Sequence, residues 1–216
     1  EYAGHLLARL AGTGVRMSLG TEVLTVSHDK TAVLSRRGCV SRVRFERLIL
    51  ASGCREKSIG ALPVSGTRPA GIFTAGQAQE MINLRHQNLG GEVLILGSGD
   101  LGMIMARRFV LEGKHVIAVL EQAAHYGGMA RNYHRCMEAY RIPLRCRMTV
   151  RENHGQGRIS GVTAEHLDSG ELEFIACDTL VTALGLIPER TLVRGLEASP
   201  WLSLAGNCCR VYDIVD

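Results

Sequence analysis

Aromatic residues are scarce in this chain, at 5%, and lysine is scarcer, with Lys30, Lys57 and Lys114 its only examples. The net charge of +4 therefore comes from arginine. The arginines stand as separate doublets such as Arg36-Arg37 and Arg107-Arg108, never in a long basic run. Without basic runs interleaved with aromatics, no nucleic-acid face is written into the sequence, and no nucleic-acid partner is expected. No apolar run approaches the roughly 18–20 residues of a spanning helix, so no membrane span is expected. A basic, apolar, cleavable leader is also lacking: the chain opens on Glu1-Tyr2 without an initiator Met, and reads as an internal piece of a longer protein.

Cysteine is present, but not in a pattern that does work. The seven cysteines are an odd number with no CxxC pair and no paired Cys/His spacing. This argues against a disulfide framework and a structural zinc site, and no metal site is expected. A reducing, cytoplasmic compartment fits this usage. Cys208 and Cys209 are adjacent and read as two thiols, because a vicinal disulfide is strained. With 46% hydrophobic and 21% charged residues the chain can bury a core. Its 216 residues are too few for two complete dinucleotide-binding domains at ~100–200 residues per domain.

Periodicity supplies the elements. Residues 1–12 place Tyr2, Leu6, Leu7 and Leu10 near one face and read as an amphipathic helix. Three short β-branched runs, 15–26, 32–35 and 39–45, read as a strand meander, and Leu48-Ile49-Leu50 as a buried strand closing on Ala51-Ser52-Gly53. Pro63, Gly66, Pro69, Gly71 and Gly76 mark 60–76 as an inter-domain crossover. Helices are expected at 77–84 and 131–140, strands of a second meander at 144–152, 161–168 and 171–175, and an apolar strand at 178–184 running into Ala183-Leu184-Gly185. Near the end, 202–204 reads as one more strand, and Ala205-Gly206-Asn207 as the opening of a final helix.

The informative stretch begins at Glu92. An apolar strand, 92–96, runs straight into Gly97-Ser98-Gly99-Asp100-Leu101-Gly102. Leu101, Ile104, Met105 and Phe109 then recur at helical spacing, and a second strand, 115–120, ends at Glu121, 24 positions after Gly97. This is a βαβ unit with a GxGxxG turn and a terminal carboxylate. Gly97 makes the tight turn, and Gly99 lets a pyrophosphate approach the backbone amides and the helix N-terminus. Gly102 permits close packing of helix on strand. Glu121 is placed to accept from the ribose hydroxyls and to repel a 2′-phosphate, and Gln122-Ala123-Ala124 offers no arginine, so NAD is favoured over NADP. FAD uses the same kind of turn, and a strand-turn-helix without a ligand has the same spacing, so the motif alone leaves both open.

The neighbouring stretches carry a resemblance. LILASGCRE (48–56), GTRPAGIFTAGQAQ (66–79), VLILGSGDLGMIMARRFVLEG (93–113), CDTLVTALGLIPE (177–189) and AGNCCRVYDIVD (205–216) resemble the two-dinucleotide flavoprotein oxidoreductases, the pyridine nucleotide-disulfide oxidoreductase superfamily related to thioredoxin reductase. The likeness is greater to the NAD(P)/FAD-dependent branch associated with anaerobic glycerol-3-phosphate metabolism. The resemblance implies an α/β fold in which a Rossmann-like NAD-binding domain with a β-meander, 62–187, is inserted in a partial FAD-binding domain, 1–61 and 188–216. It makes Ala51-Ser52-Gly53 the turn leading out of the FAD domain and Gly185 part of the returning turn. Gly206-Asn207 would stand on the ribityl chain, with neutral Asn207 in place of the family's carboxylate.

Two departures accompany it: no GxGxxG precedes residue 48, and the redox CxxC of thioredoxin reductases is missing, so no dithiol relay is expected. The implied activity is hydride transfer between NAD(H) and FAD in the complete protein, with electrons passed to a partner dehydrogenase subunit or another acceptor. A homodimer is left open. Hydride transfer is carried by cofactor geometry, so no catalytic side chain is named. A free-standing NAD-binding module with a sensing or scaffolding role is the alternative from another class.

Overall fold

The computed structural model describes residues 2–211. These residues form two compact units, one from the segment up to 53 together with 189–209, the other from 54–188. In chain order the first elements are α1 (Tyr2–Ala11), β1 (Glu22–Val26), β2 (Thr31–Arg36), β3 (Cys39–Arg44), β4 (Leu48–Leu50), β5 (Cys54–Glu56), β6 (Ser65–Gly66) and β7 (Ile72–Thr74). Next come α2 (Ala75–Asn83), β8 (Glu92–Leu96), α3 (Asp100–Leu111), β9 (His115–Glu121), α4 (Ala130–Asn132), β10 (Leu144–Cys146) and β11 (Met148–Gln156). The remainder are β12 (Arg158–His166), β13 (Leu172–Ala176), β14 (Thr179–Thr182), β15 (Leu186–Pro188) and β16 (Leu202–Leu204). No helix among the described residues is long and apolar enough to cross a membrane.

The larger unit is organised on a five-stranded, all-parallel sheet in the order β10-β9-β8-β14-β7. β8 shows why it forms. Successive side chains of a strand point to opposite faces. Val93 and Ile95 pack with Ala78, Met103 and Phe109 of α2 and α3, while Leu94 and Leu96 pack with Met148, Val150 and Val162 of β11 and β12. All four side chains of this run are at most 1% exposed, which is why it is continuously apolar rather than alternating. Each buried side chain of this size contributes roughly 1.5–3 kcal/mol. The second layer is the four-stranded sheet β13-β12-β11-β6, antiparallel except where β6 runs parallel to β11.

From β8 the chain winds through α3 to β9 and then β10 on one side, whereas β14 and β7 lie on the other. The winding reverses between β8 and β14, so the turns leaving these two strands bound a crevice at their carboxyl ends. In the smaller unit β1-β2-β3 form an antiparallel meander and β4 pairs parallel with β16. Leu50, Val193, Leu196 and Cys208 form its small core. The apolar side chains of α1, Tyr2, Leu6, Leu7 and Leu10, are exposed.

Several expectations are corrected. Residues 60–76, expected as turns alone, carry strands: β6 joins the meander sheet and β7 the parallel sheet, and this stretch lies in the larger compact unit, which begins at Cys54. The reason is pairing, because β5 runs antiparallel to β15 and closes the unit on itself. The run 144–152 is two strands, not one. Arg147, at φ +58°, breaks the extended backbone, so Leu144–Cys146 joins β9 at the edge of the parallel sheet while Met148 starts the meander. The first strand starts at Glu22, since 15–20 are not extended into a ladder. The helix expected over 131–140 is α4 followed by a π-helical turn at Tyr133–Glu138. Instead of the start of a final helix, Gly206–Cys208 form a single 3-10 turn, and residues 212–216 of that expectation lie outside the described residues.

Candidate nucleotide site

The site is built where β8 meets α3. Gly97 turns with φ +105°, and a Cβ there would stand 2.3 Å from the Ala183 carbonyl oxygen. Only glycine combines that conformation with that approach. Gly102, one turn into α3, is as constrained, since a Cβ would lie 2.2 Å from the Gly97 carbonyl oxygen and 3.0 Å from Ala183 Cβ. Gly99 is different. It is the N-cap of α3, no side chain caps the helix from this position, and a Cβ added to it would meet nothing within 4 Å. The first turn of α3 therefore has amides without an intrahelical acceptor beside open space, the arrangement that receives anions.

That space is a cavity of about 350 Å³ lined by Glu56, Gly99, Asp100, Leu101, Gly102, Gly127, Gly128, Met129, Ala183, Gly185 and Leu186. A second cavity of about 390 Å³, also in the larger unit, borders Gly97, Glu121, Gln122 and Ala183 and includes Lys57 and Leu62. The two turns expected from sequence, after β8 and after β14, are thus brought together.

Ser98 and Glu121 form the polar centre. Glu121 Oε2 accepts from the Ser98 amide at 2.9 Å and from the Ser98 hydroxyl at 2.6 Å, and Glu121 Oε1 accepts from the Ala123 amide at 2.9 Å. Burial pushes the Glu121 carboxyl up, but the bonds from the Ala123 backbone, the Ser98 hydroxyl and the Ser98 and Gln122 backbone outweigh it and hold its pKa below the ordinary value. The Ser98 hydroxyl also accepts from the Gly127 amide at 2.9 Å, and the Ser98 carbonyl from the Gly128 amide at 3.1 Å. Asp100 Oδ1 accepts from the Met129 amide at 2.7 Å and from Asn132 Nδ2 at 2.8 Å. The segment 127–129 is in this way strapped across the glycine-rich turn. A Cβ at Gly128 would stand 2.5 Å from Asp100 Oδ1, so the strap lies this close only because residue 128 is a glycine.

Glu56, on β5, reaches the start of α2. It accepts from the Thr74 hydroxyl at 2.5 Å and the Gly76 amide at 2.8 Å. Thr74 itself closes a capping box with Gln77. Glu56 and the 127–129 strap are not among the residues that the sequence singles out. The paired glycines of Tyr126-Gly127-Gly128 are the signal available for the strap, whereas Glu56 is far from the motif in sequence and has none.

Of the other expected residues, Gly185 turns at φ +87° and lines the first cavity, and its carbonyl accepts from the Lys57 amide. Ala51, Ser52 and Gly53 lie in the smaller unit, where the Ser52 hydroxyl donates to the Glu189 carbonyl at 2.6 Å and the Gly53 carbonyl accepts from the Glu189 amide. Gly206 and Asn207 also lie there, Gly206 at φ +69° and Asn207 half-buried. Cys208 and Cys209 form no disulfide, and the Cys208 thiol lies 3.0 Å from the Leu50 carbonyl.

The chain is 26% identical to an opine oxidase subunit of Rhizobium meliloti over 116 residues, 54% of this chain and 25% of the relative. It is 27% identical over 207 residues to hydrogen cyanide synthase subunit HcnB of Pseudomonas aeruginosa, covering 85% of this chain and 44% of that protein. The chain thus spans less than half the length of these relatives. The crystal structure of T. acidophilum thioredoxin reductase superposes with a TM-score of 0.71 at 19% identity, covering 96% of this chain and 71% of that one, a likeness of fold. This family and its structural neighbours bind FAD and NAD(P). The pyridine nucleotide-disulphide oxidoreductase model matches residues 5–201, and the chain belongs to that family.

Proposed function

We propose that this chain carries the NAD(H)-binding part of a flavoprotein oxidoreductase that moves hydride between NAD(H) and FAD and hands the electrons to a further acceptor. In this reading the NAD-binding domain is the 62–187 stretch, extended to 54–188 by the observed compact unit, and the flanking segments belong to an FAD-binding domain. The observation that carries it is Gly99: an uncapped helix start facing an open cavity, between two glycines that have no room for a side chain.

The residues present fit a dinucleotide. The first amides of α3 would hold the pyrophosphate. Glu121 borders the second cavity and would accept there from a ribose hydroxyl. Leu101, Met129 and Leu186 line the first cavity with apolar surface. When bound there, NAD(H) supplies hydride chemistry at its nicotinamide C4. For FAD, the smaller unit offers the turns at Ala51-Ser52-Gly53 and Gly206-Asn207 but, among the described residues, no glycine-rich strand-turn-helix. No step through a flavin is derived.

Membership of the branch associated with anaerobic glycerol-3-phosphate metabolism belongs to the same reading, supported by the five sequence stretches. So does association with a partner dehydrogenase subunit or other electron acceptor, supported by two relatives that are subunits by name, and so does a homodimer. The test is a fluorescence titration of the purified chain with NADH. Saturable binding abolished by Gly99→Leu, with the fold retained by circular dichroism, is the expected result; no binding by the unmodified chain up to millimolar NADH would overturn the reading.

A further inference from the structure

The side chain of Ser98 does not line either cavity and is fully buried. It nevertheless joins three parts of the site: its hydroxyl donates to Glu121 Oε2 at 2.6 Å and accepts from the Gly127 amide at 2.9 Å, while its own amide donates to the same Glu121 oxygen at 2.9 Å. Glu121 Oε2 thereby has both acceptor sites filled. The carboxylate is clamped where it borders the second cavity, with the Ala123 and Gln122 backbone holding it as well.

We propose that Ser98 is a specificity-determining positioning residue that acts through Glu121: its hydroxyl holds the carboxylate where it accepts from an unphosphorylated ribose and repels a 2′-phosphate. The proposal rests on the nucleotide reading above and adds how discrimination between NADH and NADPH is set. A carboxylate anchored by two donors on one oxygen presents its charge in one orientation. A carboxylate that has lost the hydroxyl keeps only its backbone bonds, is held less firmly against a phosphate and gives up part of its selectivity. Gly127 transmits the same constraint to the strap, because its amide donates to the Ser98 hydroxyl.

The experiment measures dissociation constants for NADH and NADPH on the full chain and on Ser98→Ala, Glu121→Gln and the double variant. The unmodified chain should favour NADH, and Ser98→Ala should reduce the NADPH-to-NADH ratio of dissociation constants about tenfold, the worth of one hydrogen bond to a charged group. In the Glu121→Gln background, adding Ser98→Ala should leave the ratio unmoved, because the two residues act as one unit. Should Ser98→Ala not fold, Ser98→Cys keeps the volume with a weak donor and should lower the ratio in the same direction. Equal weakening of both nucleotides by Ser98→Ala would reduce Ser98 to a structural role and overturn the proposal. An equal shift in the ratio with and without Glu121 would do the same, as would an unmodified chain without preference. An unmodified chain that binds neither nucleotide would instead overturn the nucleotide reading itself.

Discussion

Gly102 and Gly97 are packed so closely that a methyl group on Gly102 would sit 2.2 Å from the Gly97 carbonyl oxygen. The obstruction is backbone and cannot rotate aside. Gly102→Ala should therefore push α3 off β8 and lower stability by roughly 1–3 kcal/mol or more. Gly99→Ala adds the same methyl group where nothing lies within 4 Å, at φ −59°, a conformation any residue adopts. It should leave the urea midpoint nearly unchanged and weaken NADH binding. Equal loss of stability in the two variants would contradict this division of roles.

Asp178 clips the start of β8 to the start of β14. Its carboxylate accepts from the Gly91 amide at 2.9 Å and the Glu92 amide at 3.2 Å, and Thr179 Oγ1 lies 2.8 Å away. Burial pushes its pKa up, and these bonds with the nearby Arg158 guanidinium bring it below the ordinary value. Glu121 is lowered in the same way. A carboxyl whose folded pKa is lowered contributes stability that is complete above its unfolded pKa, about 3.9 for Asp and 4.3 for Glu, and lost as pH falls from there through the folded value. Urea unfolding between pH 7 and pH 3 should show a decline in this acid window that is shallower in Asp178→Asn and in Glu121→Gln. Parallel curves for all three proteins would refute the assignment.

Thr74 caps α2 and donates to Glu56. Thr74→Ala removes the cap acceptor of the Gln77 amide and should cost about 1 kcal/mol by thermal or chemical unfolding. Thr74→Ser keeps both hydrogen bonds and should recover most of that loss.

The cysteines should separate by reactivity. Cys39 and Cys209 are exposed, whereas Cys136, Cys177 and Cys208 are buried. Burial, followed by the nearby Asp178 charge, pushes the Cys177 thiol up to about 11, so little thiolate exists there at neutral pH. Mass spectrometry after brief alkylation at pH 8 should find Cys39 and Cys209 labelled first and Cys177 among the last. Early labelling of Cys177 in the folded chain would contradict its place beneath the sheet.

The βαβ unit is legible because its information is local. Strand, glycine turn, amphipathic helix and terminal carboxylate occupy consecutive residues, and β8, α3 and β9 lie within a residue or so of where periodicity puts them. The stretch from 60 to 76 misleads for the opposite reason. Its prolines and glycines speak of turns, but whether a two- or three-residue run such as β6 or β7 becomes a strand depends on a partner, here β11 and β14, at the far end of the unit. The break at Arg147 is likewise invisible in a run of apparently alternating residues, since it turns on which sheet each half can join.

At the site itself the sequence alone determined the glycines and the acidic terminus, because a positive φ, a missing side chain and a charge are properties of single residues. It also carried the family, through stretches spread along the whole chain. Only the tertiary structure decided what Ser98 and Glu121 do with their hydrogen bonds, that Gly127 and Gly128 cross the turn, and that Glu56 comes from another strand to line the cavity. Those are relations between residues distant along the chain, and a side chain's remaining acceptor is known only once every donor around it is in place.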